Sequence, residues 1–264
     1  MKRLFDDHAV WITGGGSGIG RATALEFARQ GANVAVSGRR SDKLKGVVDE
    51  LEALGRHAMA VSCDVRDEAQ IEAAAAQVVR RFGKLDVTLA NAGFSVAGRV
   101  ADLTADEWRN QLETNVIGAA LTARHALPHL RETRGRLGFI GSVAAFICSP
   151  KMGAYSASKF AVRALGHTLA IELHGSGVSV TLIHPGYVES EIAHVDNTGR
   201  YDPEREDRRP KNMMWPAERA AEVVVRALYK RKREVVFTGH GKVGAFIGQH
   251  LPGVAHLMMT RGIV

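Results

Sequence analysis

The chain has 264 residues, 45% hydrophobic and 24% charged, the balance of a globular protein with enough apolar material for one large α/β core. Its two cysteines, Cys63 and Cys148, are far apart and outside any metal-ligand spacing, which argues against a disulfide framework or zinc site and fits a reducing compartment. The net charge of +7 raises nucleic acid as a partner. However, residues 200–242 mix twelve Lys or Arg with seven Asp or Glu, and neither basic cluster, 205–211 or 230–233, is interleaved with stacking aromatics, so a solvated face or a basic rim for an anionic ligand is the better expectation.

Lys2 and Arg3 run straight into Asp6, Asp7 and His8 with no apolar stretch of signal-peptide length, and a cytoplasmic protein is expected. Ala9 to Ile12 reads as a buried strand and Ser17 to Gln30 as a helix closed by Gly31. Val34 to Val36, Ala58 to Val61 and Val87 to Ala90 read as further strands, with helices near 41–54 and 67–82 between them. Long helical regions around 105–131 and 152–174 flank the strand Leu137 to Ile140, and Val178 to Ile183 follows as another strand. This alternation predicts one doubly wound, Rossmann-like α/β domain over 1–264. Its central sheet is expected to be mainly parallel, of about seven strands, with helices on both faces.

From Pro185 to Trp215 the rhythm stops and the composition turns polar. A long irregular segment after a strand end is often a functional lid, here expected over about 186–215. Helix periodicity resumes at Pro216 to Arg231, followed by a strand at Glu234 to Phe237 and a helical extension over about 241–264. In that extension Val243, Phe246, Ile247, His250 and Leu251 share one helical face, a stripe expected to pack on the domain or a second subunit. Basic residues at 230–233 ahead of it leave peripheral membrane contact as the less favoured alternative.

Two local patterns carry chemistry. Thr13-Gly14-Gly15-Gly16-Ser17-Gly18-Ile19-Gly20 joins the first strand to the first helix, where a dinucleotide pyrophosphate would meet helix N-terminal amides. Glycine lets the backbone turn tightly and approach phosphate without a Cβ clash. Tyr155 and Lys159 stand four apart, so a helix places phenol and ammonium on one face, about 5–6 Å apart at Cβ. A nearby cation favours phenolate, which would make Tyr155 a proton-transfer group near neutral pH. Ser142, thirteen residues upstream, could hold the oxygen being protonated. Taken alone, such a pair usually means a solvated surface contact.

The general G-x-G-x-x-G pattern fails in every register of the turn, and what fits is Gly14-x-x-x-Gly18-x-Gly20 after a threonine. That turn, with Tyr155-Ser156-Ala157-Ser158-Lys159 and Ser142, resembles the short-chain dehydrogenase/reductase family. The resemblance runs from about residue 8 to 190. Asp64-Val65 is similar to the family's adenine contact, and Asn91-Ala92-Gly93 to its strand-stabilising motif. Asn115, in Thr-Asn-Val-x-Gly, stands where the family's fourth catalytic residue does. Pro185-Gly186-Tyr187-Val188-Glu189-Ser190 resembles the segment that contacts the nicotinamide carboxamide, with Ser190 in the place of a threonine.

The resemblance implies NAD(P)-dependent oxidoreduction of a carbonyl or secondary alcohol, with Asn115, Ser142, Tyr155 and Lys159 as the catalytic set and no metal. It implies cofactor contacts from Thr13, Gly14, Gly16, Ser17, Gly18, Ile19 and Gly20, and from Pro185, Gly186, Val188 and Ser190. It gives Lys159 two tasks, tuning Tyr155 and holding the nicotinamide ribose, and gives Asn115 a water that links Lys159 to solvent. Asn115 could instead only pin a helix, Asn91 is expected to fix backbone, and His184 to be packed. After the second strand, Ser37-Gly38-Arg39-Arg40 stands where an NAD-preferring site has an acid. An aspartate would repel a 2′-phosphate that Arg39 could bind, so NADP(H) is expected over NAD(H), with Ser37 or Arg40 assisting.

The resemblance implies that Val143 to Met152 lines the substrate cleft, and here that loop is mostly apolar, while Met213, Met214 and Trp215 could add adaptable contacts. A hydrophobic ketone or alcohol, aliphatic, aromatic or steroid-like, is therefore expected as the small-molecule substrate over a sugar, and the family implies a homodimer or homotetramer. The alternatives are a catalytically silent NADP-binding sensor or scaffold and, less favoured, nucleic-acid binding through the basic C-terminal stretch.

Overall fold

The computed structural model describes residues 3–261. Seven strands form one sheet in the order β3-β2-β1-β4-β5-β6-β7, every neighbouring pair parallel. They are β1 (Ala9–Thr13), β2 (Asn33–Gly38), β3 (Ala58–Ser62), β4 (Val87–Ala90), β5 (Arg136–Ile140), β6 (Ser179–Pro185) and β7 (Glu234–Phe237). The helices are α1 (Gly18–Arg29), α2 (Ser41–Ala53), α3 (Glu68–Phe82), α4 (Ala105–Leu112), α5 (Gly118–Thr133), α6 (Gly153–Glu172), α7 (Ala217–Tyr229), α8 (Gly239–His250) and α9 (Pro252–Thr260). The last three residues of the expected C-terminal extension, and the first two of the chain, lie outside the described residues.

Strand side chains alternate between faces, and the sheet divides its apolar residues accordingly. Val10, Ile12, Val34 and Val36 pack with Phe27 of α1, Leu44 and Val47 of α2 and Val224 and Leu228 of α7. Trp11 and Ala35 face the other way, onto Ile71 and Val78 of α3, Leu130 of α5 and Val162 of α6. Because both faces are covered, the strands read as continuous apolar runs. Strand order reverses at β1, whose neighbours are β2 and β4. The chain leaves those two strands in opposite directions, and a crevice opens at the carboxyl ends where such folds bind ligands.

The structure departs from the sequence reading in three places. The helical region expected over 105–131 is broken by a π-helical turn, Glu113–Ile117, between α4 and α5. A π turn widens the backbone by one residue and recurs at functional sites; this one carries Asn115. Of the two surfaces expected to receive the C-terminal stripe, its own domain does not cover it: Val243 is 58% and Phe246 59% exposed. The packing face of α8 is instead made of small residues. A Cβ on Gly248 would stand 2.2 Å from the Phe146 carbonyl oxygen, and Ala245 is buried against Ala145 and Phe146.

The third departure concerns the basic cluster at 230–233. Arg231 donates to the carbonyls of Arg134, Gly135 and Gly177 and to the Ser179 hydroxyl. It fastens the amino ends of β5 and β6, on the side of the sheet opposite the crevice. The irregular 186–215 segment is held at both ends by its own backbone, with Glu189 N–H donating to the Trp215 carbonyl and Trp215 N–H to that of Tyr187. Short 3₁₀ turns, Glu191–His194 and Lys211–Met213, interrupt it. Among the described residues no helix is long and apolar enough to cross a membrane.

Candidate active site

A cleft of about 1510 Å³ runs along the carboxyl edge of the sheet from Arg39 and Arg40 to Ser142 and Tyr155. Single-ligand pockets are usually 300–1,000 Å³, so this one has room for a dinucleotide and a second molecule. The glycine turn forms its floor. Gly14 and Gly18 have φ of +64° and +51°, conformations that side-chain-bearing residues avoid. A Cβ on Gly20 would stand 2.3 Å from the Gly14 carbonyl oxygen. Together with the α1 amino terminus, this cradle fits the phosphates of a dinucleotide.

The turn is fixed from beneath. Asn91 Nδ2 donates to the carbonyls of Thr13 and Gly14 at 2.8 and 3.0 Å. Thr13 Oγ1 accepts from the N–H groups of Asn91 and Ala92. Thr13 is buried, and its hydroxyl staples β1 to β4 instead of facing the cleft. Ser37 differs from expectation in the same way. It points into the sheet and accepts from Trp11 Nε1 at 3.0 Å, because strand alternation turns it away from the β2 end where Arg39 and Arg40 emerge.

Arg39 and Arg40 line the cleft and meet the 186–215 segment there. Arg39 Nη2 donates to the Gly199 carbonyl at 2.7 Å. Arg40 Nη2 pairs with Glu191 at 2.6 Å, donates to Ser17 Oγ at 3.0 Å, and lies over the Tyr201 ring. Lys43 approaches the same glutamate at 3.5 Å. Asp64 and Val65 form the wall beside Arg39, and Arg66 grips the Asp64 carboxylate at 2.6 Å. Although burial opposes it, that grip holds the Asp64 carboxyl below its usual range.

Ser142, Tyr155 and Lys159 come from two neighbouring elements. Ser142 follows β5, Tyr155 sits in the first turn of α6, and Lys159 lies one turn further on the same face. Lys159 Nζ donates to the Ile140 carbonyl at 2.9 Å and lies 5.7 Å from the Tyr155 ring centroid. Burial pushes the Lys159 ammonium down to about 8. Burial also raises the Tyr155 phenol above its ordinary value, against a hydrogen bond with Ser142 and the charge of Arg209. The phenol therefore keeps its proton at neutral pH. This differs from a phenolate held by Lys159, because the ammonium is aimed at a carbonyl and is itself desolvated.

Asn115 occupies the π turn. Its Oδ1 accepts from Phe94 N–H, and its Nδ2 donates to the Phe94 carbonyl and Ser158 Oγ, each at 3.0 Å. A Cβ on Gly93 would stand 3.0 Å from Asn115 Oδ1 and 3.8 Å from Lys159 Nζ. Asn115 thus ties the end of β4 to α6 around the lysine, as the pinning alternative requires. Ala92 and Gly93 line the cleft at that point.

Pro185, Gly186, Val188 and Ser190 form the opposite lip with Ile19 of α1. Arg209 reaches this lip from the irregular segment, donating to the Val188 and Ser190 carbonyls at 2.9 Å and to Ser190 Oγ at 3.2 Å. Asp207 pairs with it at 2.8 Å. The apolar end is walled by Val143, Ile147 and Met152, by Met213, and by Val243, Met258 and Met259 of the C-terminal helices. Trp215, expected among these contacts, instead packs on Phe237 beneath the guanidinium of Arg219.

A family model described as short chain dehydrogenase matches residues 8–200. The 11-beta-hydroxysteroid dehydrogenase A of Arachis hypogaea is 39% identical over 186 residues, covering 69% of this chain and 53% of that protein. The chain thus spans about half the length of that relative. An uncharacterized oxidoreductase of Staphylococcus aureus is 34% identical over 88% of this chain and 95% of its own length. Among solved structures, a short chain dehydrogenase of Burkholderia cenocepacia in complex with NADP superposes with a TM-score of 0.78 at 28% identity, covering 90% of this chain and 99% of that one. One from Burkholderia phymatum in complex with NAD gives 0.79 at 29% identity, covering 88% and 89%.

Proposed function

The chain belongs to the short-chain dehydrogenase family, and we propose that it is an NADP(H)-preferring reductase or dehydrogenase for a hydrophobic ketone or secondary alcohol. The convergence of Ser142, Tyr155 and Lys159 beside the glycine cradle, in one cleft, carries this reading. Bound nicotinamide supplies or accepts the hydride. In the reductive direction Tyr155, protonated at neutral pH, donates its proton to the substrate oxygen as general acid. Ser142 donates a hydrogen bond to that oxygen and stabilises the negative charge that develops on it. Lys159 holds positive charge below the pair, and Asn115 fixes the strand end that shapes the lysine's pocket. The cradle from Gly14 to Gly20 holds the phosphates, with Ser17 and Ile19, while the 186–215 segment closes the cleft over them.

The apolar wall of Val143, Ile147, Met152 and Met258 supports a hydrophobic substrate over a sugar. A panel of acetophenone, cyclohexanone, a ketosteroid and an aldose, each with NADPH and NADH, tests this. The ketones are expected to be reduced and the sugar ignored; failure of every ketone would reject the catalytic reading in favour of a silent cofactor-binding protein. Homodimer or homotetramer assembly completes the reading, and light scattering after gel filtration measures it.

Cofactor preference rests on Arg39, a cation at the cleft rim after β2 where no acid is present. A charge-assisted hydrogen bond contributes about 1.5–3 kcal/mol, and an aspartate replaces it with repulsion. Arg39→Asp is therefore expected to lower the NADPH/NADH ratio of kcat/KM about 10²-fold or more. An unchanged ratio would assign the arginine to its Gly199 contact alone.

A further inference from the structure

His184, at the end of β6, is 0% exposed and is absent from the residues that line the cleft. Its ring nevertheless reaches the backbone of Ser142. Nδ1 stands 3.3 Å from Ser142 N and 3.2 Å from Ser142 O. Nε2 meets Glu234 Oε1 at 2.9 Å. A Cβ on Gly141 would lie 2.4 Å from Nδ1, so only glycine before the serine lets the imidazole approach this closely.

The far end of the ring is clamped. In the β6–β7 register Leu182 lies opposite Glu234 and His184 opposite Val236, so Glu234 is the diagonal neighbour on the histidine's face. Arg163 of α6 donates to the Glu234 carboxylate at 2.7 Å, and His167 approaches it at 3.5 Å. The Arg163 guanidinium also lies 4.1 Å from the Phe146 ring centroid, and Phe146 meets the His184 ring edge-on. The imidazole thus has a fixed position, a fixed plane and a charged acceptor for one nitrogen.

Burial lowers the His184 pKa, and hydrogen bonds from His184 and Arg163 outweigh burial to pull the Glu234 carboxyl down to about 2. A neutral ring beside an anionic carboxylate donates from Nε2–H, which leaves Nδ1 as the acceptor for Ser142 N–H. A carboxylate that sets the tautomer of a histidine, which in turn fixes a third group, is a recurrent way of orienting a working residue. Here the third group is the backbone of Ser142, whose Oγ is engaged by Ala144 N–H at 3.1 Å and whose φ is −170°.

We propose that His184, clamped by Glu234, is a positioning residue that holds the Ser142 backbone and so aims the serine hydroxyl at the reacting oxygen. The proposal rests on the reading of Ser142 as the group that stabilises that oxygen. It makes the Glu234–His184 pair a determinant of kcat without contact to substrate or cofactor.

The test is a double-mutant cycle on the ketone of the panel that is reduced fastest, with NADPH affinity followed separately by its fluorescence. His184→Ala is expected to lower kcat about 10–100-fold, the scale set by a misplaced catalytic group, with the NADPH Kd changed less than about twofold. His184→Asn, which keeps an acceptor near Ser142 N–H, is expected to recover most of the loss. In a Ser142→Ala background His184→Ala should lower kcat no further, because the group it positions is gone. An equal loss in both backgrounds would overturn the proposal, as would a wild-type kcat in His184→Ala. If His184→Ala does not fold, Glu234→Gln takes its place in the same cycle. Wild-type turnover in Ser142→Ala alone would remove the catalytic reading itself, and with it the positioning role, a failure distinct from an additive cycle.

Discussion

Tyr155→Phe is expected to lower kcat for ketone reduction about 10²–10⁴-fold, the usual contribution of a positioned general acid, with little change in NADPH affinity. The substitution removes one hydroxyl and keeps the ring that packs at the start of α6. The lost hydroxyl is a single polar group close to Ser142, and its removal should change stability by only about 1 kcal/mol. Stopped-flow turnover, fluorescence titration and thermal denaturation separate these three quantities. The sign of the Tyr155 shift matters here. Burial raises the phenol above its ordinary value against Ser142 and Arg209, so the proton stays on the oxygen through neutral pH and is available for donation. Reduction should therefore persist at pH 6–8, whereas alcohol oxidation, which needs the phenol to give up its proton first, should accelerate as pH rises. Near wild-type turnover in the Phe variant would leave Ser142 or a solvent molecule as the proton source and defeat the assignment.

The parts of this site that a sequence reader can find are those built from local chemistry. The glycine turn declares itself because a β-α turn with φ of +64° at Gly14 and +51° at Gly18 needs glycine. The strands declare themselves because burial on both faces makes each a run of apolar residues. The Tyr155–Lys159 spacing does so because four residues make one helical turn. What stays hidden is set by tertiary contact. Nothing in the helical periodicity around Asn115 marks a π turn, since the extra residue leaves the apolar pattern intact on either side. Arg209 and Glu191 lie in a polar stretch with no period at all, yet they meet the lip at Ser190 and the cation Arg40. In α8 the reader's eye follows Val243 and Phe246, while the helix packs through Gly248 and Ala245, where small size admits close approach. His184 was expected to be packed and is packed; its link to Ser142 depends on the β6–β7 register and on Gly141, which no spacing rule encodes.

The lysine supplies the prediction of opposite sign. Lys159 is 5% exposed and its pKa falls from 10.5 to about 8 because burial disfavours the charged form. Between pH 8 and 10.5 the unfolded chain holds a proton that the folded chain has released, so stability rises with pH through that window. Below pH 8 the folded protein carries a buried ammonium, at a cost of about 3 kcal/mol by the size of the shift. Lys159→Met removes that burden and leaves the Ile140 carbonyl without its donor, a loss of about 1 kcal/mol. The variant is expected to be about 2 kcal/mol more stable than wild type at pH 7, with Tm about 4–8 °C higher, and to turn over at least about 10²-fold more slowly for want of the charge. Cys63, pushed up to about 11 by burial, works the other way at high pH: the unfolded thiol ionises first, so its contribution falls as pH rises. The wild-type and variant proteins share that cysteine, so the difference between their denaturation curves isolates the lysine. That difference should be largest below pH 8 and shrink towards pH 10. Parallel curves across the range would mean that Lys159 bears no such strain, and a stabilised variant that kept its activity would mean that the charge is not used.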